Sequence, residues 1–207
     1  SSPIWDSDSP PEIGTRMPLK RPGEADGSGT AVIAETKLAI AERARELAVD
    51  VLYSEKGQFA DAAGWRSLNR WLGLPSAILA ALAGAQILAD YGGAVLPAVT
   101  AFLSAVMTAA IVFLKPEESA SRHHSAGTAY GGIRRRLRHF VQIECRLDSV
   151  GPGDLASKLD QMMKEVNELQ SASPPISKGG FKAAGKSIKA GTANYTANEL
   201  DAAAGKI

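Results

Sequence analysis

The sequence predicts an all-α fold: a two-helix transmembrane hairpin joined to long cytoplasmic helices that pack as an antiparallel helical bundle. Three observations carry this expectation. Residues 71–114 hold one charged residue, Asp90, whereas the segments on either side are rich in both signs of charge. Outside that stretch, apolar residues recur at spacings of three, four and seven, the signature of a helix with one buried face. Pro75, Pro97 and Pro116 each stand near the start of a helical run, where the missing N–H would be unpaired in any case.

The first 30 residues contain 14 Ser, Pro or Gly and almost no periodic apolar residues. Such a segment buries too little surface to offset the entropy of ordering, so residues 1–30 are expected to be a disordered tail. No basic n-region followed by an apolar h-region occurs in it, and no secretory leader is expected there. A helix is expected over 31–69, with Ile33, Ile40 and Leu47 on one seam, Ala44 and Val51 on interleaved positions, and the seam then shifting to Leu52, Phe59 and Leu68. At about 1.5 Å per residue it would span roughly 58 Å, so it requires a partner of similar length.

Two runs, 71–89 and 96–114, follow, each close to the roughly 20 residues that cross a bilayer. The five Leu and two Ile of the first supply about −2 to −4 kcal/mol of insertion free energy, partly cancelled by Gln86, glycines and Pro75; the ten Val, Leu, Ile and Phe from Val95 to Leu114 supply about −3 to −6 kcal/mol. The second run can therefore carry the first in as a hairpin. Arg66 and Arg70 precede the pair and Lys115 and Arg122 follow it, while the connecting "ADYGGA" has no base, so both ends are expected in the cytoplasm. Asp90, beside Tyr91, then marks the loop at the far headgroups, and Trp71 and Trp65 mark the near interface. Within the spans, Ser76, Ala80 and Gly84 recur every fourth position, as do Thr100, Ser104 and Thr108. Such faces, with Gln86, serve either packing inside one hairpin or a contact between protomers that lines a pore. A single hairpin encloses no channel, so a pore would require a homo-oligomer.

Beyond the spans, helices are expected over about 117–149 and 154–170. Tyr130, Ile133, Leu137, Phe140 and Leu147 form the stripe of the first, and Leu155, Leu159, Met162, Val166 and Leu169 that of the second. Gly131 and Gly132 interrupt the first helix at roughly 1 kcal/mol each relative to alanine and form a candidate hinge. The basic residues Arg66, Arg70, Lys115, Arg134, Arg135, Arg136 and Arg138 are candidate contacts to anionic lipid headgroups, a reading preferred to nucleic acid because bases beside a span are the expected topological signal. Residues 191–207 are expected to be a flexible tail.

The ordered set "YSEKGQFADAAGWRSLNRWLGLPSAILAALAG", "FLKPEESASRHHSAGTAYGGIRRRLR" and "SPPISKGGF" resembles the SLATT domain over about 31–190, with Tyr53, Lys56, Phe59, Trp65, Pro75, Pro116, His124, Tyr130 and Pro175 at positions matching its pattern. The resemblance implies a two-span effector of bacterial second-messenger and conflict systems, which permeabilises the inner membrane of an infected cell when an upstream enzyme or its nucleotide product signals. The other reading is a membrane-anchored helical scaffold or sensor subunit without permeation.

Catalysis is not expected, and neither a metal nor a cofactor is implied. "GFKAAGKS", residues 180–187, fits the P-loop pattern letter for letter, but no strand precedes it, and a short Lys-rich helix is the better reading, solvated or near headgroups. His123 and His124 are adjacent and so point to different faces, unlike an i, i+4 metal pair. The single cysteine, Cys145, reads as a packed thiol.

Overall fold

A computed structural model describes residues 26–89 and 93–191. The expectations for residues 1–25, for Asp90 and Tyr91, and for 192–207 lie outside the described residues. Every regular element among the described residues is helical.

α1 (Asp26–Leu88) runs for 63 residues, about 95 Å, and absorbs both the expected 31–69 helix and the first apolar run. It starts ahead of the expected boundary, so residues 26–30 belong to the helix and not to the tail. Pro75 starts no helix; it lies inside α1. Continuing through it forfeits the one hydrogen bond that its missing N–H would make, whereas a break beside so many apolar side chains would strand several backbone groups at once.

α2 (Val95–Leu114) lies along the last third of α1, with Ser104 against Ser76, Thr100 against Gln86, and Ile111 nearest Gly73. Pro97 falls in its first turn and is buried. α3 (Pro116–Gln142) follows after a single residue. That residue, Lys115, takes the left-handed conformation (φ 46°, ψ 53°); its N–H closes α2 on the Ile111 carbonyl, and its carbonyl accepts from Ser119 as α3 begins. Pro116 disfavours right-handed helix at the residue before it, so the Leu-Lys-Pro sequence both ends one helix and redirects the next.

α3 then retraces α1. Glu117 meets Asn69, His123 meets Gln58, and Arg134 meets Glu55, so residue numbers fall along α1 as they rise along α3. The helix expected to reach 149 ends at Gln142. Ile143 leaves helical geometry and a 3-10 turn, Glu144–Arg146, rounds the corner. Leu147 is thereby lost from the expected stripe and is 44% exposed, while its carbonyl accepts from Lys37 Nζ at 2.8 Å. The turn exists because the chain must reverse to lay α4 (Pro152–Ala172) over the bundle, and Cys145 is tucked under it. A short extended segment leads to α5 (Lys178–Lys189), capped by the Ser177 hydroxyl, which accepts from Gly180 N–H at 2.9 Å.

The core forms where α1, α3 and α4 meet. Ala44 and Val51, Tyr130, Ile133, Leu137 and Phe140, and Leu155, Leu159, Met162 and Val166 are all buried, with Ile40, Leu47 and Leu169 packed against them. Ile33, expected on the same seam, remains 47% exposed, because the Lys37–Leu147 contact marks the corner of the bundle and Ile33 lies beyond it, one helical turn nearer the N-terminus.

Candidate functional site

The site with functional content is the apolar helix pair formed by the last third of α1 and by α2, together with the polar contacts above it. Both helices are long and apolar enough to cross a membrane, yet only 11% of the most apolar window of each is buried. Trp71 is 76% exposed, Phe102 68%, Leu88 90% and Phe113 86%. A contiguous apolar surface this large is not carried into water by an ordinary soluble domain, and marks a membrane or partner contact.

Between the two helices the contacts are small and hydroxylated. Ser76 and Ser104 are buried; Ser104 Oγ donates to the Ser76 carbonyl at 2.8 Å, and Ser76 Oγ lies 3.3 Å from Ser104 Oγ and 2.8 Å from Thr108 Oγ1. Thr100 Oγ1 lies 3.3 Å from Gln86 Oε1. The structure therefore brings together Ser76, Gln86, Thr100, Ser104 and Thr108, but not Ala80 or Gly84, which are exposed. The packed positions are Ser76, Ala83 and Gln86 against Pro97, Thr100 and Ser104. On α1 the seam continues from Ser76 to Ala83 and Gln86, seven and ten residues on, so the every-fourth stripe through Ala80 and Gly84 drifts off it, whereas Thr100, Ser104 and Thr108 on α2 all stay in contact.

Above the apolar pair, α1 carries a band of polar residues that the apolar periodicity conceals, with Glu55 and Gln58 buried and Asp61 half-buried. Glu55 accepts from Arg134 Nε at 2.6 Å, with side chains 9% and 15% exposed respectively. Gln58 lies 2.6 Å by its Oε1 from His123 Nδ1 and donates from Nε2 to the Pro174 carbonyl at 2.8 Å. Asp61 accepts from both the N–H and the hydroxyl of Ser177, at 2.7 and 2.5 Å. Each polar pair is accompanied by a glycine that admits its neighbour. A Cβ at Gly180 would sit 2.5 Å from Asp61 Oδ1, one at Gly57 2.9 Å from Ile176, one at Gly127 3.1 Å from Phe59, and one at Gly131 3.5 Å from Glu55. Tyr53 stacks on Phe181, and His124 meets the Phe59 ring edge-on. Among the described residues no buried side-chain polar atom lacks a partner, so the band is a fully satisfied network that fixes where α3 and the α4–α5 connection sit on α1.

Residues singled out for other roles fall into place around this geometry. Arg66, Arg70 and Lys115 are exposed close to Trp71 and to the end of α2, as a headgroup contact requires. Arg134, Arg135, Arg136 and Arg138 are not so placed. Arg134 pairs with Glu55, 16 residues or about 24 Å along α1 from Trp71, and Arg136 pairs with Glu165 on α4. Arg134 and Arg136 of the basic run thus serve contacts within the bundle. Gly131 and Gly132 lie within uninterrupted α3; the first makes room for the Glu55 carboxylate, while nothing lies within 4 Å of a Cβ at the second. "GFKAAGKS" belongs to α5, where Asp61 presses on Gly180 and would repel a phosphate. Because Ser177 sits at Asp61 and Phe181 at Tyr53, α5 leads away from Trp71, and its lysines lie far above any headgroup contact.

Set against known families, characterised proteins and solved structures, the chain matches none. Its chemistry is therefore read from its own groups. Burial pushes the Cys145 thiol up, the Glu144 carboxylate adds to this, and Lys37 partly opposes it. A raised value delays thiolate formation to higher pH. Cys145 is accordingly expected to react with maleimide at neutral pH about tenfold more slowly than an exposed cysteine, a difference that denaturation erases. Equal rates in the folded protein would place the thiol in solvent.

Proposed function

We propose that the chain is an inner-membrane effector of the SLATT kind: an antiparallel helical bundle standing on a two-span hairpin, with both termini cytoplasmic. It assembles into homo-oligomers and permeabilises the bilayer in antiphage defence, in response to an upstream enzyme or its nucleotide product. The observation that carries this reading is the pair of apolar helices whose outward surface, from Trp71 to Phe113, is left exposed by the described residues. Insertion of about 30 Å of α2 matches the hydrocarbon thickness of a bilayer.

One observation favours a second reading, a membrane-anchored scaffold or sensor that does not permeate. The hydroxyls of Ser76, Ser104 and Thr108 bond within the hairpin, and a hydroxyl committed there does not line a pore. Under the first reading, oligomers form through the outward faces and a rearrangement frees the hydroxyls.

Two measurements test the function. Cysteines introduced at exposed Ala94 and Ser157 report topology, since Cys145 is too buried to serve. An impermeant thiol reagent added to intact cells is expected to label Ala94→Cys and not Ser157→Cys; labelling of both, or recovery of the protein in the soluble fraction, overturns the hairpin. Purified protein in liposomes is then expected to release an entrapped dye when candidate nucleotides are supplied. Insertion without release under all conditions selects the scaffold reading.

A further inference from the structure

We infer that the cleft between α3 and α4 binds a phosphorylated small molecule with a compact apolar or aromatic body. The cleft has a volume of about 600 Å³ and is open along one side, within the range of small-molecule sites. Its floor includes Ile133 and Met162, both buried, and it is recessed because Ala129 and Gly132 raise nothing above α3. Gly132 is the informative position. A glycine in mid-helix weakens the helix, and tight packing against Glu55 explains Gly131 but not its neighbour, whose missing side chain faces the recess itself.

The rim is basic. Arg135, Arg136, His139 and Lys158 stand around the cleft against two acids, Glu144 and Glu165. Both acids are already engaged, Glu165 by Arg136 and Glu144 by Lys158 Nζ at 2.6 Å, and these two pairs clip α3 and the 3-10 turn to α4. Arg135 and His139 stand one helical turn apart on α3, and neither makes an ion pair among the described residues; the Arg135 guanidinium folds back beside Gly131, with Nη1 3.7 Å from where a Cβ there would stand, so it must swing about its side-chain torsions to meet a ligand. A planar guanidinium with an imidazole beside it is a donor set suited to phosphate oxygens, and the apolar floor suits a ring or short aliphatic body. The source of the phosphate follows from height. Arg134, just ahead of these residues on α3, is level with Glu55, about 24 Å along α1 from Trp71, so a lipid headgroup does not reach the cleft. The phosphate belongs to a soluble molecule. As the signal-receiving end of the bundle, the cleft rests on the membrane-effector reading; as a binding site, it does not.

The test is a calorimetric titration of the full chain in detergent with AMP, ATP, inorganic pyrophosphate and adenosine. The two nucleotides are expected to bind saturably, about tenfold or more tighter than adenosine, which lacks the charge, and than pyrophosphate, which lacks the body. Arg135→Gln and His139→Gln, both at exposed positions, are each expected to weaken nucleotide binding by about tenfold, while Arg122→Gln, the same charge change outside the cleft, leaves it unaltered. No saturable binding by any probe, or binding indifferent to Arg135→Gln, overturns the site. Adenosine binding as tightly as AMP overturns the phosphate contact, and pyrophosphate binding as tightly overturns the apolar one. Binding that passes these arms in a protein that never releases dye leaves the cleft standing and removes the pore; release without binding does the reverse.

Discussion

Glu55→Ala is expected to lower stability by about 3 kcal/mol, the largest single effect of any polar substitution in the bundle. The carboxylate is nearly buried and accepts from Arg134 Nε at 2.6 Å, in a space that Gly131 leaves free. Removing it strands a guanidinium that is itself mostly out of solvent, and an uncompensated buried charge costs about 3–5 kcal/mol. For a chain of this size the midpoint of thermal unfolding should fall by roughly 6–12 °C, followed by near-ultraviolet circular dichroism in detergent. Glu55→Gln, which keeps an acceptor, should recover part of the loss. Replacing the pair together, Glu55→Leu with Arg134→Met, should recover most of it, because no charge is then left alone. A fall of under about 1 kcal/mol in Glu55→Ala would mean that water reaches Arg134 and that the pair is a surface one.

Under the effector reading proposed above, Ser104→Leu is expected to abolish permeation without preventing insertion. Ser104 is buried between the two apolar helices and donates to the Ser76 carbonyl at 2.8 Å. Leucine there loses that bond and forces the backbones apart, a penalty of about 1–3 kcal/mol from overpacking in a seam built on small residues. It also makes α2 more apolar, by about half a kcal/mol on the insertion scale, so the protein should remain in the membrane fraction. Toxicity on overexpression, or dye release from liposomes, is the readout. Unchanged activity would mean that close approach of the two helices at Ser104 is needed neither in the resting arrangement nor in the acting one.

Periodicity made the apolar elements legible. The α4 stripe Leu155, Leu159, Met162, Val166 and Leu169 is buried or packed on the core as spaced, and the stretch with a single charge falls on the last third of α1 and on α2. Boundaries were less legible, because they depend on what a helix packs against. Pro75 reads as a start in isolation but is overridden by helix on both sides, and the end of α3 at Gln142 is set by the need to fold α4 back. The polar band was least legible. Glu55, Gln58 and Asp61 look like the solvated side of an amphipathic helix, and only their pairing with residues 116 positions away, or 79 in the case of Arg134, shows that they face protein. A signal was present in Gly57, Gly127, Gly131 and Gly180, since glycine inside a helix invites the question of what approaches it. The basic run is hard to place for a related reason: it lies near α2 in sequence, whereas α3 carries those arginines about 30 Å away along its axis.

Because α1 is one uninterrupted helix from Asp26 to Leu88, its bundle and apolar parts share a single helical phase. With 3.6 residues per turn, one residue added between Asn69 and Trp71 would swing Ser76 about 100° around the axis, off Ser104, and advance it 1.5 Å. Seven residues would return it to within about 20° of its original bearing. The bearing of the apolar side chains beyond Trp71 is therefore set in the bundle, by the angle at which Glu55, Gln58 and Asp61 grip their partners, and a twist there is carried along the same helix toward Leu88.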